Sequence, residues 1–586
     1  MVGMLTRVGV QCALFVALWF VFLSPDSPYA RHKVQSHGEA SVQVALAKDE
    51  FSWETIVPSE TLNWTDCYFG HQCARFKVPL DYSHPEAAFA TIAMRRVRSI
   101  VPHDSPEYRG PILFNPGGPG GSGVDFIGGL AAPIATIVGP GFDLIGFDPR
   151  GIGRSTPRVS FYKSRVEREL WGGSGQSANL LSMNASADAL ARSWARAIVD
   201  GTLAGERDDG SLRFITTDHT ARDMLRIVQA HGRDKLQYWG FSYGSVLGAT
   251  FASMFPDNVG RLVIDGVVDS ENYFAVEWSN NLIDTDKTWM TFVNGCVAAG
   301  PKGCAFFAPT AAEILENVDK LYASLRARPI PVRTDVSFGL VDYSLLRRTI
   351  FTALYSPYGR FAPLAQALAD LSAGNATALF KMSELPAFEC ACDPSMYRFE
   401  SVGEAGSAVL CNDGKRIPQD YEGVLAHYKK LSATSSWADL WEPVRMSCLA
   451  WPDFPKTHFQ GPFVANTSFP LLLLGNTADP VTPLWTAKKM SQGFAGSVVL
   501  TQDSAGHCSL SAPSICTQKY VHDYFVDGTL PPPGTVCPVI AGPFPAVDVE
   551  TGMDAQAILT LSAADRSLLE AVRESSMNFN VRFPGL

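Results

Sequence analysis

Short apolar runs closed by glycine or proline recur along the first half of the chain. The clearest are Ile112–Phe114 in GPILFNPGG, Phe142–Phe147 in GFDLIGFDPRG, the LQYWGF that starts at Leu236, and Arg261–Val268 (RLVIDGVV). Runs this short, continuous rather than alternating and bounded by turn residues, predict strands buried in a parallel sheet. FATIAMRRVRSIV (Phe89–Val101) half-alternates and adds a further strand. Between these runs the period changes. TTDHTARDMLRIVQAHG has a Thr/Asp start, Met224, Ile227 and Val228 on one face and Gly232 as a stop, which predicts a helix. GSVLGATFASMFP, after Ser242, is rich in small residues, as a helix packed closely on a sheet requires. Strand–helix alternation of this kind predicts a doubly wound α/β core.

From 271 to 460 the pattern is mainly helical. Ile314, Val318, Leu321 and Leu325 fall at helical spacing, as do Leu364, Leu368 and Leu371. Strand signals return in FPLLLLGNTADP and in GSVVLTQDSAGH. The expected organisation is therefore a core over 56–270, a helical cap insertion over 271–460 and a resumed core over 461–545. Residues 546–586 form a tail with one helical stretch, SAADRSLLEAVRESS, and no assigned role. Residues 31–55 are polar and aperiodic and read as a linker, with ordered chain expected to begin near Trp64.

Composition narrows the function. The chain has 586 residues and a net charge of −10. No basic stripe occurs, which argues against nucleic acid as a partner. Arg7 precedes an apolar run, Val8–Leu23, and then the turn-prone SPDSPYA, so residues 1–30 read as a signal peptide. The alternative is an uncleaved type II anchor, the only case in which a membrane would be a partner. Either reading places the folded chain outside the cytosol, secreted in the first case. Sequons at Asn63, Asn184, Asn375 and Asn466 agree, as candidate glycosylation sites. An oxidising compartment favours disulfides. The candidate pairs are Cys67 with Cys73, Cys296 with Cys304, Cys411 with Cys448, and Cys516 with Cys537. Cys390, Cys392 and Cys508 are left unassigned. Without Cys12 the total is odd, so at least one free thiol is expected. No paired CxxC or HxxxH spacing occurs, so no metal and no cofactor are expected.

The chemistry lies in chain order. Ser242, in Gly240-Phe241-Ser242-Tyr243-Gly244, falls between a predicted strand and a predicted helix. Asp479 follows LLLLG, and His507 follows SVVL. Ser, then acid, then His, each just past a strand, is the order of the α/β-hydrolase triad. A serine hydroxyl needs a base. Among the histidines His507 has the strand-end context that His219, His458 and His522 lack. Asp479 would hold its tautomer, and Asp503 is the rival acid. Gly240 and Gly244 would clear the sharp turn of side chains. For the oxyanion hole, one backbone N–H should come from Tyr243. A second should come from the loop NPGGPGGSG (Asn115–Gly123), at Gly118 or, failing that, Gly117.

These motifs, taken together, resemble the secreted tripeptidyl aminopeptidase-like α/β-hydrolases, relatives of proline iminopeptidase. The resemblance runs through WTDCYFGHQCARFKVPLDY (Trp64–Tyr82), NPGGPGGSG, FDLIGFDPRGIGRS, YWGFSYG, LLLLGNTADPVTP, AGHCS and DGTLPPPGTVC. It fades over about 280–400 and in the tail. It implies an α/β-hydrolase fold with a mostly parallel sheet, flanking helices and a large helical cap. It also implies a serine exopeptidase acting on peptides with free N-termini, with Ser242 as nucleophile, His507 as base and Asp479 as orienting acid. The cap would need an acid for the substrate's ammonium group, and Glu277, Glu389 and Glu404 are candidates. A carboxylesterase on the same fold and a non-catalytic binding module are the alternatives.

Overall fold

A computed structural model of the chain describes residues 51–175, 186–384, 402–544 and 561–579. The strands are β1 (Thr65–Asp66), β2 (Gln72–Pro79), β3 (Phe89–Val97), β4 (Gly110–Asn115), β5 (Phe142–Phe147), β6 (Leu236–Phe241), β7 (Val259–Asp265), β8 (Ile330–Arg333), β9 (Phe338–Val341), β10 (Leu472–Ala478), β11 (Val498–Ala505) and β12 (Val536–Pro538). Ten of them form one sheet in the order β1-β2-β3-β5-β4-β6-β7-β10-β11-β12. The β1 edge is antiparallel as far as β5, and every pairing beyond it is parallel. Every residue of β4 and β5 is buried, because helices cover both faces. This explains why those strands read as unbroken apolar runs rather than alternating ones.

Parallel strands all point one way, so the ends of β4, β6, β7, β10 and β11 share one edge. Pairing of Asn115 with Gly240, of Phe241 with Asp265, and of Ala478 with Ala505 brings those ends level. In open α/β sheets this is the edge where ligands bind.

Helices fill most of 271–460, together with a small antiparallel hairpin, β8–β9, that the helical periodicity did not announce. Two further helices, Arg165–Gly175 and Ser186–Glu206, lie earlier, within the stretch read as core. Two expectations need correction. Ordered chain does not wait for Trp64: Trp53 starts a 3₁₀ turn, its side chain is buried, and the compact unit begins at Ser52. Nor is the C-terminal helix an appendage. Ala563–Asn578 packs on the helix Gly123–Val138, and Phe579 is buried beyond it. The Phe579 ring lies 5.5 Å from that of Phe241, and its carbonyl oxygen accepts the Ser356 hydroxyl at 2.8 Å. Among the described residues no helix is long and apolar enough to cross a membrane. The Val8–Leu23 run lies outside them.

Disulfides join Cys67 to Cys73, Cys296 to Cys304, Cys411 to Cys448 and Cys516 to Cys537. Cys508 is free and buried, whereas Cys390 and Cys392 lie outside the described residues. The Cys411–Cys448 bridge ties the end of the helix Val402–Asp413 to the chain just after the helix Ala438–Met446, across a separation of 37 residues. A loop of that length is worth about 3–4 kcal/mol in the chain-entropy account. Replacing both cysteines by serine is expected to lower unfolding stability in urea by about that amount. A loss below about 1 kcal/mol would mean that packing alone holds this part of the cap.

Candidate active site

Ser242 sits at the turn from β6 into the helix Tyr243–Met254. Its backbone has φ 56° and ψ −122°, a region that residues with a side chain rarely adopt. The flanking glycines make the turn possible. A Cβ on Gly240 would lie 2.4 Å from both the Gly244 carbonyl oxygen and the Tyr238 hydroxyl. A Cβ on Gly244 would lie 2.8 Å from the Asn115 carbonyl oxygen. The Ser242 N–H donates to the Asp265 carbonyl at 2.8 Å, which holds the turn against β7. The Phe241 side chain packs among Phe126, Trp239 and Phe579, so it anchors the strand end in the core.

Asp479 and His507 follow β10 and β11, and both are fully buried. His507 Nδ1 lies 3.0 Å from each oxygen of the Asp479 carboxylate. That carboxylate also accepts the N–H groups of Val481 at 3.0 Å, Thr482 at 2.8 Å and Cys508 at 3.0 Å. Burial pushes Asp479 up, but His507 and these N–H groups outweigh it and hold the acid below the ordinary carboxylate value. The Thr482 hydroxyl lies 3.1 Å from the same Nδ1. The cap supports this residue as well: the Tyr355 ring stands edge-on to the imidazole at 5.1 Å, and the Tyr355 backbone carbonyl accepts the His507 backbone N–H at 2.9 Å. The opposite ring nitrogen, Nε2, is next to Cys508. The Cys508 sulfur lies 3.7 Å from it and 3.5 Å from the Asp265 carbonyl that holds Ser242. Burial next to Asp265 and Asp479 pushes the Cys508 thiol up, so it stays protonated and does not compete as a nucleophile.

The rival residues are engaged elsewhere. Asp503 lies on β11 and accepts the Thr477 hydroxyl at 2.9 Å. His219 bonds within the first turn of its helix, His458 bonds the Asp413 carbonyl, and His522 bonds the Ile137 carbonyl.

The glycine loop is pinned at both ends. Asn115 Oδ1 accepts the Gly117 N–H at 3.0 Å, and Asp148 accepts the Ser122 hydroxyl at 2.5 Å. Gly117 presses on the elbow so closely that a Cβ there would come within 2.8 Å of Ser242 Cβ. Its N–H is therefore occupied. The N–H groups of Gly118 and Tyr243 meet no acceptor among the described residues. Buried N–H donors are rarely left this way, and two of them beside one serine suit an oxyanion.

Comparisons with known proteins bear on the fold and its relatives. A family model described as "alpha/beta hydrolase fold" matches residues 110–300, and one described as "TAP-like protein" matches residues 434–537. The chain has the α/β-hydrolase fold, and the matches support a TAP-like member of it. It is 28% identical over 513 residues to the tripeptidyl aminopeptidase of Streptomyces coelicolor, covering 83% of this chain and 87% of that one. It is 27% identical over 502 residues to the serine protease Hip1 of Mycobacterium tuberculosis, covering 82% and 91%. It is 28% identical over 475 residues to carboxylesterase B of the same species, covering 80% and 86%.

A cavity of about 470 Å³ lies beside the glycine loop, with Pro119 in its wall. The helices Arg165–Gly175 and Ser186–Glu206 form one side, and Val402–Asp413 with Ala438–Met446 the other. Of the two described glutamates among those expected to receive an ammonium group, Glu404 lines it and Glu277 does not. Glu404 is already paired with Arg168 and accepts the Phe161 N–H at 2.6 Å, so its charge is balanced. Glu277 pairs with Lys430 at 3.2 Å, and Glu389 lies outside the described residues. The carboxylate that the glutamate list omitted is Asp200. Its Oδ1 accepts the Tyr162 hydroxyl at 2.9 Å and Trp171 Nε1 at 2.8 Å, and no donor among the described residues reaches Oδ2. Burial pushes Asp200 above the ordinary carboxylate value.

The side chain of Tyr243 also finds partners. Its hydroxyl lies 2.6 Å from that of Thr217, which donates to the buried Asp413, and Tyr273 donates to the same carboxylate at 2.9 Å. The residue after the nucleophile is thereby tied to the end of a cavity-lining helix. Of the groups that sequence reasoning passed over, Thr482 had a signal in its place three residues after Asp479. Asp265 had one in ending an apolar strand.

Proposed function

We propose that this chain is an exported serine exopeptidase that removes short fragments from the free N-termini of peptides through an acyl-enzyme on Ser242. One observation carries the reading. A serine held in a strained turn at the sheet edge is flanked by the strand ends that carry the buried Asp479–His507 pair, and the N–H groups of Tyr243 and Gly118 meet no acceptor among the described residues. His507 Nε2 takes the Ser242 proton as Oγ bonds to the scissile carbonyl carbon. The carbonyl oxygen gains the negative charge and is held by Tyr243 N–H and Gly118 N–H. Collapse breaks the C–N bond, and the departing amine takes the proton from His507. A water, deprotonated by the same histidine, then hydrolyses the ester and frees Ser242. The Cys508 thiol and Thr482 hydroxyl pack around the histidine and take no part in these bond changes.

The cavity supports exopeptidase action. The Asp200 carboxylate suits a peptide ammonium group through charge-assisted hydrogen bonding at Oδ2, beside the Arg196 guanidinium that already lies over the Trp171 ring at 4.1 Å. Asp200 would receive the substrate's N-terminus there, while the cap keeps folded chains from the serine. Four disulfides and exposed sequon asparagines at Asn63, Asn375 and Asn466 support export into an oxidising compartment.

The test compares a peptide anilide with a free N-terminus, its N-acetylated form and a short-chain ester. The free peptide is expected to turn over best. Asp200→Asn is expected to raise its KM about 10-fold to 100-fold and to leave ester turnover unchanged. Preference for the ester, with no peptide turnover, would favour a carboxylesterase instead. Equal turnover of free and acetylated peptides would remove the N-terminal requirement.

A further inference from the structure

Asp265 ends β7, and no step above uses its carboxylate. It is fully buried. One oxygen accepts the Ser509 N–H at 2.8 Å, and the other accepts the Ser509 hydroxyl at 2.6 Å and Trp239 Nε1 at 3.3 Å. Its backbone oxygen holds the Ser242 N–H at 2.8 Å. Ser509 lies just past His507, and Trp239 lies just before Ser242 on β6. A single residue thus clamps the histidine loop to the nucleophile strand from both its backbone and its side chain. The groups that face it are Trp239 from β6, the Ser242 N–H from the elbow, and His507, Cys508 and Ser509 from the loop after β11. Asp479, at the end of β10, stands on the far side of the imidazole. Among the described residues no lysine or arginine pairs with Asp265. The positive charge that can answer it is the imidazolium of His507.

We propose that Asp265 is a second anionic positioning residue for the Ser242–His507 pair: it locks the histidine loop against the nucleophile turn and stabilises the imidazolium that forms when His507 takes the serine proton. The inference rests on the acyl-transfer reading above. Asp479 fixes Nδ1 from one side, and Asp265 adds field from another without touching the ring. The electrostatics agree with the geometry. Burial raises the Asp265 carboxyl to about 6, against the pull of Ser509, Trp239 and His507. The charge is therefore present above about pH 6 and is lost as pH falls through that value. Neutralisation of Asp265 is therefore expected to steepen the acid limb of the reaction.

The experiment follows fluorophosphonate labelling of Ser242 by intact mass from about pH 5 to about pH 8. Labelling needs only the activated serine, so it does not depend on the natural substrate. In the unmodified chain, log rate against pH should be steeper than a slope of about 1 on the acid limb. Asp265→Asn should reduce the slope to about 1 and lower the plateau by about tenfold or more. Ser509→Ala keeps Asp265 but removes its 2.6 Å donor. It should move the acid inflection upward by about half a pH unit or more. An Asp265→Asn protein with unchanged slope and plateau overturns the proposal. If that variant does not fold, an unmoved inflection in Ser509→Ala overturns it instead. Absence of labelling in the unmodified chain would overturn the acyl-transfer reading itself, and this inference with it.

Discussion

Ser242→Ala is expected to lower kcat/KM for peptide turnover by about 10⁴-fold to 10⁶-fold, with little change in melting temperature. The size of the loss follows from the covalent step. Without Oγ there is no nucleophile, and His507 has nothing to deprotonate. What survives is the residual catalysis of an oxyanion hole acting on water. The lack of a stability cost follows from the geometry. Ser242 Oγ makes no hydrogen bond that helps hold the fold. Its turn is held instead by the Ser242 N–H to Asp265 and by the Ser245 N–H to Ser242. Alanine keeps both of these backbone bonds and the same strained φ. Steady-state kinetics beside a thermal melt check the pair of expectations. A variant that loses activity only because it unfolds would not support the assignment.

Asp479→Asn is the second large effect, expected at about 10⁴-fold in kcat. The carboxylate accepts from three backbone N–H groups and from the ring, and all four donors need an acceptor. An amide has only one oxygen. Its NH₂ must face either the N–H groups of Val481 and Thr482 or that of Cys508, and in both orientations it lies beside His507 Nδ1. Facing the ring, it favours the tautomer with the proton on Nε2, which cannot act as base toward Ser242. Because Asp479 is held below the ordinary carboxylate value, it stays ionised across the working range. Its own titration is therefore not expected in the pH–rate profile. The loss should appear in kcat with KM little changed, since Asp479 touches no substrate. A rise in KM at constant kcat would place Asp479 in substrate binding instead.

The elbow was legible because its constraint is local. A serine at positive φ between a strand and a helix needs small residues on both sides, and five residues display that. Asp479 and His507 were legible because each follows an apolar run closed by a turn, and parallel strands bring such ends to one edge. The choice between Gly118 and Gly117 was not legible. It turns on the Asn115 side chain, which occupies one N–H and leaves the other unengaged. Glu404 shows why charge alone misleads: its partner Arg168 is 236 residues away in the chain. Asp200 was hidden for the converse reason. Helical periodicity can show that Ser186–Glu206 is a helix, but not that a cavity opens against it. The role of the C-terminal helix depended on the surface of Gly123–Val138, which no local window contains. Asp265 was visible as a strand end, but its clamp on Ser509 spans 244 residues.

The most direct measurement is the position of a fluorophosphonate adduct, read by peptide mapping of the full chain. The account predicts one adduct, on Ser242, absent from Ser242→Ala and strongly reduced in His507→Ala. An adduct on another residue, or undiminished labelling of Ser242→Ala, would contradict it.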